Sequence, residues 1–156
     1  MAIAKRLSAY LANAGVEYDI VNHPFTVSAS RTAQAAHITG DRVAKTLVLH
    51  DDQGYLLAVV PSTHRIELDA IGPKLGRRLN LATEKEIADL FDDCELGAIP
   101  PVGAAYGLKV MLDESLTDQE DVYFEGGDHR NLVHVDAAAF AKAMEGAERG
   151  RFSHHV

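Results

Sequence analysis

The sequence predicts one α/β (α+β) domain, a mixed β-sheet with several helices around it. Three observations carry this. The run "AKTLVLHDDQGYLLAVVPS" is two β-rich, nearly all-apolar stretches joined by a polar turn ending in Gly54, a hairpin whose strands are covered on both faces. Segments with helical spacing are interspersed with further strand-like runs, so helices and strands share one core. The 156 residues, 47% hydrophobic and 24% charged, fit one domain of ordinary composition.

The elements follow in order. "AIAKRLSAYLANAG" places Ile3, Leu7, Tyr10 and Leu11 at helical spacing, and Gly15 ends the helix. "EYDIVNH" alternates like a strand, and "SASRTAQAAHI" pairs a Ser cap with good helix formers. After the hairpin, "ELDAIGPKLG" and "TEKEIADLF" read as short helices, the second opened by a capping box of Thr83 and Glu86. "LKVMLDESL", "DVYFEGG" and "NLVHVD" read as strands, and "AAAFAKAME" closes as a helix capped by Asp136.

No repeat or linker divides the chain. Residues 1–146 are read as the folded domain and residues 147–156, which lose apolar periodicity, as a flexible tail. No run approaches the ~18–20 apolar residues of a membrane span. Lys5, Arg6 and Ser8 interrupt the start before a signal-peptide apolar region forms, so a cytoplasmic protein is expected. The single cysteine, Cys94, excludes an internal disulfide framework.

The net charge of -8 argues against broad, charge-driven coating of nucleic acid. It leaves room for a local basic strip, for which "GPKLGRRLNLATEKE" offers Lys74, Arg77 and Arg78. Arg42, Lys45 and Arg65 could join it in three dimensions, and a merely solvated charged face accounts for the same residues.

Conventional catalytic motifs are absent. The eight histidines show no metal-ligand spacing: there is no His-x-x-x-His and no Cys pair, and His154 and His155 fall in the tail. His129 and His134 lie on opposite faces if their strand is regular. Cys94 reads as a small packed hydrophobe. There is no serine nucleophile elbow, phosphate loop or dinucleotide fingerprint, and the glycines of "EGGDH" are a weak turn signal.

Two features remain. Lys45 opens the apolar strand "VAKTLVL", where a charge is costly unless it reaches water, a cavity or a partner. The run "DDCELGAIPPVGAAYGLKV" stiffens its backbone with adjacent prolines yet stays apolar, which suits neither a surface linker nor a helix or strand interior.

Together, "VAKTLVL", "LLAVVPSTHRIELDAIGPKLG", "LGAIPPVG" and "VYFEGG" resemble, in that order, the YbaK and prolyl-tRNA-synthetase-associated editing domain family, over about residues 21–140. The lysine of "VAKTL" and the Gly-x-x-x-Pro loop, here residues 97–101, are its most specific parts. The resemblance implies a mixed, mostly antiparallel sheet or partly closed barrel surrounded by helices. It also implies a free-standing aminoacyl-tRNA deacylase that clears a small amino acid such as Ala, Cys or Ser from tRNA-Pro or a similar tRNA. By the same resemblance Lys45 is the functional lysine and residues 97–101 form the loop at the aminoacyl pocket, so Lys45 and Gly97 are the expected catalytic positions and Ala98, Ile99, Pro100 and Pro101, with Val102 as a further apolar wall, are expected to bind the aminoacyl group. The basic strip of Lys74, Arg77 and Arg78, read from its charge, is the expected tRNA contact. No cofactor or metal is implied. The partners implied are the tRNA acceptor end and an aminoacyl-tRNA synthetase.

The missing triad agrees with that chemistry. An aminoacyl ester is already activated, so the site has to hold the carbonyl, exclude wrong side chains and admit water or the neighbouring ribose hydroxyl. Backbone N–H groups of a stiff loop do the first and apolar walls the second. Pro100 and Pro101 have no N–H, so donors come from Gly97, Ala98, Ile99 or the residues after Pro101. A negative φ at Gly97 would let a branched residue there probe the pocket alone. A non-catalytic module binding tRNA ends, nucleotides or a protein on the same fold is the second reading, and hydrolysis of another small ester or thioester the third.

Overall fold

The computed structural model describes residues 3–26, 28–75 and 78–156. Helix α1 (Lys5–Ala14) forms on the predicted spacing and buries Leu7 and Leu11 completely, each worth ~1.5–3 kcal/mol of apolar burial. Strand β1 (Asp19–Asn22) follows, then α2 (Ala29–Ala35), whose first turn is capped by the Ser28 side chain accepting from the Arg31 N–H at 3.2 Å. A 3-10 turn (Gly40–Arg42) leads into the hairpin of β2 (Ala44–Asp51) and β3 (Gly54–Pro61).

The chain then runs through β4 (His64–Ile66), α3 (Leu68–Leu75), β5 (Asn80–Leu81) and α4 (Glu84–Leu90). The Thr83–Glu86 capping box is formed in both directions. A second 3-10 turn (Gly103–Tyr106) precedes β6 (Lys109–Asp113), the short α5 (Glu114–Thr117), β7 (Asp121–Glu125) and β8 (Asn131–Asp136). Helix α6 (Ala137–Ala143) is capped as expected, Asp136 accepting from the Ala139 N–H at 2.8 Å. Strands β9 (Glu148–Gly150) and β10 (Ser153–His155) end the chain.

Among the described residues the strands make three sheets, in the orders β5-β2-β3-β6-β9, β1-β8-β7 and β10-β4, and none closes into a barrel. Pairing is antiparallel except that β3–β6 and β6–β9 run parallel. The long crossover between β3 and β6 permits the first of these parallel pairs. A parallel bridge between Val43 and Tyr123 brings the start of β2 against β7.

The hairpin is covered on both faces, as its apolar runs predict. Leu57 and Val59 join one core with Leu7, Leu11, Phe124 and Phe140, while Leu56, Ala58 and Val60 join another with Ile71, Met111 and Phe152. Alternate residues of one strand thus serve two cores.

The tail requires a correction. The lack of periodicity predicts a loose segment over residues 147–156, but they contain β9 and β10, which pair with β6 and β4. Phe152 is the reason: it is completely buried, and its N–H donates to Asp113 at 3.1 Å. One aromatic between polar neighbours gives no periodicity to read, yet its burial anchors the segment.

Candidate functional site

A cavity of about 370 Å3 lies along the edge of β2, lined among others by Lys45, Thr46, Ile87, Gly97, Ile99 and Glu125. Strand β5 pairs with β2 at Leu49 and His50, and the Ala82 N–H donates to the Val48 carbonyl at 2.9 Å, so β5 leaves residues 44–47 of β2, which line the cavity, unpaired on that side. Lys45 and the Gly97 loop, separated by some fifty positions in the sequence, therefore meet at one opening.

Lys45 is partly buried, and its Nζ donates to the His64 carbonyl at 2.7 Å. That bond orients the ammonium and leaves two of its three donors for a ligand. Burial, aided by the positive charge of Arg65, holds the Lys45 pKa below the ordinary lysine value.

The loop after α4 is anchored from the turn between β7 and β8. The Glu95 N–H donates to the Gly127 carbonyl at 2.8 Å, and His129 Nε2 donates to the Leu96 carbonyl. The turn itself is held by Asp128, which accepts from the Arg130 and Asn131 N–H groups at 3.0 and 2.9 Å. Gly127, with φ 115°, is required there because other residues rarely adopt that backbone. The "EGGDH" turn thus positions Gly97.

Gly97 has φ 84°, not the negative value that would make a branched residue there a simple steric probe. The loop residues divide. Gly97 and Ile99 line the cavity. Ala98 and Val102 are essentially without exposure, Val102 packed in the larger core, and Pro100 and Pro101 are buried beside them. The Ala98 N–H is committed to the Glu95 carbonyl at 3.1 Å. Among the described residues the N–H groups of Gly97 and Ile99 have no such partner. The prolines stiffen the loop from within the protein.

Glu125 is the residue that sequence reasoning missed. It ends β7, is 4% exposed, and lines the cavity. Thr32 Oγ1 donates to its Oε1 at 3.1 Å, while Oε2 is buried without a partner among the described residues. Burial, with the charge of Asp128 added, raises its pKa to about 7 against the opposing Thr32 bond. Thr46 also lines the cavity, and its hydroxyl is likewise buried without a partner among the described residues. The available signal was an acid closing the apolar run "DVYFE" before two glycines.

The remaining sequence candidates lie elsewhere. Arg42 is paired with Asp121 at 2.7 Å, and Arg78 is exposed. Lys74 belongs to α3, but its side chain and the whole of Arg77 lie outside the described residues. His134 bonds Asp19 and Asp121 at 2.9 and 2.8 Å, whereas His129, with φ 64°, lies in the turn before β8, so no regular strand joins the two histidines. Cys94 contacts Asp93 and the Tyr106 hydroxyl, and burial pushes its thiol up to about 12. Such a thiol is almost wholly protonated near neutral pH and a poor nucleophile. Cys94→Ala is accordingly expected to keep most activity, and iodoacetamide to label the native protein slowly. Complete loss of turnover in that variant would restore a covalent mechanism.

A mixed sheet thus brings a lysine, a buried carboxyl and a glycine-proline loop to one largely apolar cavity. The chain belongs to the aminoacyl-tRNA editing domain family, whose model matches residues 23–143. A solved structure of a proposed trans-editing enzyme for prolyl-tRNA synthetase is similar over 99% of this chain and 98% of that one, with TM-score 0.86 and 28% identity. A scaffold protein used in computational grafting of linear epitopes is similar over 100% and 99%, with TM-score 0.85 and 25% identity. A hypothetical protein matched over 96% of this chain at TM-score 0.85 and 20% identity shows the fold alone. No curated protein matches the sequence. No helix among the described residues is long and apolar enough to cross a membrane.

Proposed function

We propose that this protein is a trans-acting aminoacyl-tRNA deacylase, hydrolysing the ester of a small, wrongly attached amino acid on tRNA-Pro or a similar tRNA. The observation that carries the reading is that Lys45, Gly97 and Ile99 line one mostly apolar cavity, the N–H groups of Gly97 and Ile99 having no backbone partner among the described residues. In this reading the two N–H groups receive the ester carbonyl oxygen as it gains negative charge, and Lys45 supplies a cation to that oxygen or to the terminal phosphate. The walls from Leu47, Ile87 and Ile99 limit the acyl side chain. Water, which the neighbouring ribose hydroxyl can hydrogen-bond, attacks the carbonyl carbon, its proton passes to the ribose oxygen of the ester as that C–O bond breaks, and the free amino acid and deacylated tRNA leave.

The test is incubation of the purified protein with a panel of mischarged tRNAs, following release of the labelled amino acid. Catalytic release from at least one small-residue tRNA is the expected result. Tight binding without release would favour a non-catalytic module.

The acceptor stem needs few cations, and the acidic chain is expected to bind it in a salt-sensitive way. If Lys74, Arg77 and Arg78 guide the stem, reversing all three to Glu weakens tRNA binding. It also lowers the slope of log K against log salt by ~0.7–0.9 for each phosphate that is no longer neutralised. A minimal aminoacyl ester is cleaved almost as fast as before. Equal losses on both substrates would place the damage in the pocket instead.

A further inference from the structure

The Lys45 ammonium is held by a strand that is not stable alone. Its Nζ donates to the carbonyl of His64, the first residue of the three-residue β4. Among the described residues the only strand paired with β4 is β10, with His155 opposite His64 and Ser153 opposite Ile66. A two-stranded pair this short needs further support. Asp113, buried at the end of β6, supplies it. Its Oδ1 accepts from the Ser115 N–H and hydroxyl at 3.1 and 2.6 Å. Its Oδ2 accepts from the Phe152 N–H and the Ser153 hydroxyl at 3.1 and 2.8 Å.

Ser153 has one hydroxyl proton and gives it to Asp113, so toward His64 Nδ1, 2.9 Å away, its oxygen can only accept. His64 therefore carries a proton on Nδ1 and donates it to Ser153. An unbroken line of contacts runs from Asp113 through Ser153 and His64 to Lys45, one residue from each of β6, β10, β4 and β2. Without the serine hydroxyl Asp113 keeps three donors, whereas the His64 ring loses its tie to the core.

Resting on the deacylase reading above, we infer that Ser153 is a positioning residue for the reaction: by tying His64 to Asp113 it holds the Lys45 ammonium at the cavity. It does so from outside, since neither Ser153 nor His64 lines that cavity. The end of the chain thus serves the site through β4.

The experiment measures turnover of the aminoacyl-tRNA that the parent cleaves fastest. It also titrates the Lys45 ε-carbon by NMR in protein labelled with 13C-lysine, the signal being assigned by its absence in Lys45→Ala. Ser153→Ala is expected to fold and to lower turnover about 3- to 10-fold, the range of one neutral hydrogen bond converted to a rate. The loss falls on the same constant, kcat or KM, that Lys45→Ala changes. The Lys45 midpoint rises toward the ordinary lysine value, because burial, and after it Arg65, depresses it in the parent and a loosened ammonium reaches water. Ser153→Thr keeps a hydroxyl and restores both readouts. His64→Ala breaks the same tie while leaving the Ser153–Asp113 bond, so combining it with Ser153→Ala slows turnover no further than the slower single change.

An unmoved Lys45 midpoint in folded Ser153→Ala overturns the inference, whatever the turnover. Multiplying losses in the double variant overturn it too, as does a Ser153→Thr protein as slow as Ser153→Ala. Each of these leaves the deacylase reading intact. If Ser153→Ala does not fold, His64→Ala carries the same two measurements, with the same midpoint rise expected and an unmoved midpoint overturning the inference. A parent protein that cleaves none of the panel overturns the deacylase reading and this inference with it.

Discussion

Lys45→Ala is expected to lower deacylation by roughly 10²-fold or more, the scale of removing one preorganised electrostatic donor from a water-poor site. The ammonium is held by the His64 carbonyl at 2.7 Å, so it does not have to be ordered when substrate binds. Its loss should fall mainly on kcat if it acts on the developing oxyanion, and mainly on KM if it grips a phosphate. The fold is expected to survive. One partly exposed hydrogen bond is worth ~1 kcal/mol, and the substitution also removes a charge that burial and Arg65 disfavour. Urea denaturation of both proteins checks this. Lys45→Arg should not restore full activity, since a planar guanidinium cannot reproduce the position of a point charge on a flexible stem. Near-parent turnover in Lys45→Ala, with unchanged stability, would remove the lysine from the chemistry.

How much of this was legible in the sequence depends on what each residue's neighbours are. The hairpin was readable because two covered strands leave an uninterrupted apolar run, and Leu56 to Val60 are buried without a break. Caps were readable because Ser28, Thr83 and Asp136 act within three residues of themselves. The family motifs at Lys45 and residues 97–101 were readable as text, and the structure brings Lys45, Gly97 and Ile99 to one cavity.

The strands β4, β5, β9 and β10 were not readable, because each is two or three residues long and exists through its partner. Glu125 was hidden for a similar reason. Its partner Thr32 lies ninety-three positions away, and a strand-end acid is ordinarily solvated. The division of the loop between cavity and core was also invisible, since the alternation of Gly97, Ala98 and Ile99 depends on a backbone held by Gly127 and His129.

The second large effect is expected at Gly97, and its sign on stability follows from the backbone. At φ 84° an L side chain is strained, a β-branched one most of all. Gly97→Val should therefore abolish turnover and cost ~1–3 kcal/mol of stability, which confounds pocket and fold. Gly97→Asn separates them, because Asn tolerates positive φ far better. That variant should melt close to the parent, yet lose most turnover by projecting its amide where the acyl group is expected to sit. Side-chain selection is tested at Ile99, which lines the cavity, by Ile99→Phe: activity should shift toward the smallest amino acids. Ala98 cannot serve for that test. It is fully buried, so enlarging it overpacks the interior, typically by ~1–3 kcal/mol, without reaching the cavity. A folded Gly97→Asn protein that deacylates at the parent rate would show that this loop, stiff as it is, only supports the wall and does not touch the ester.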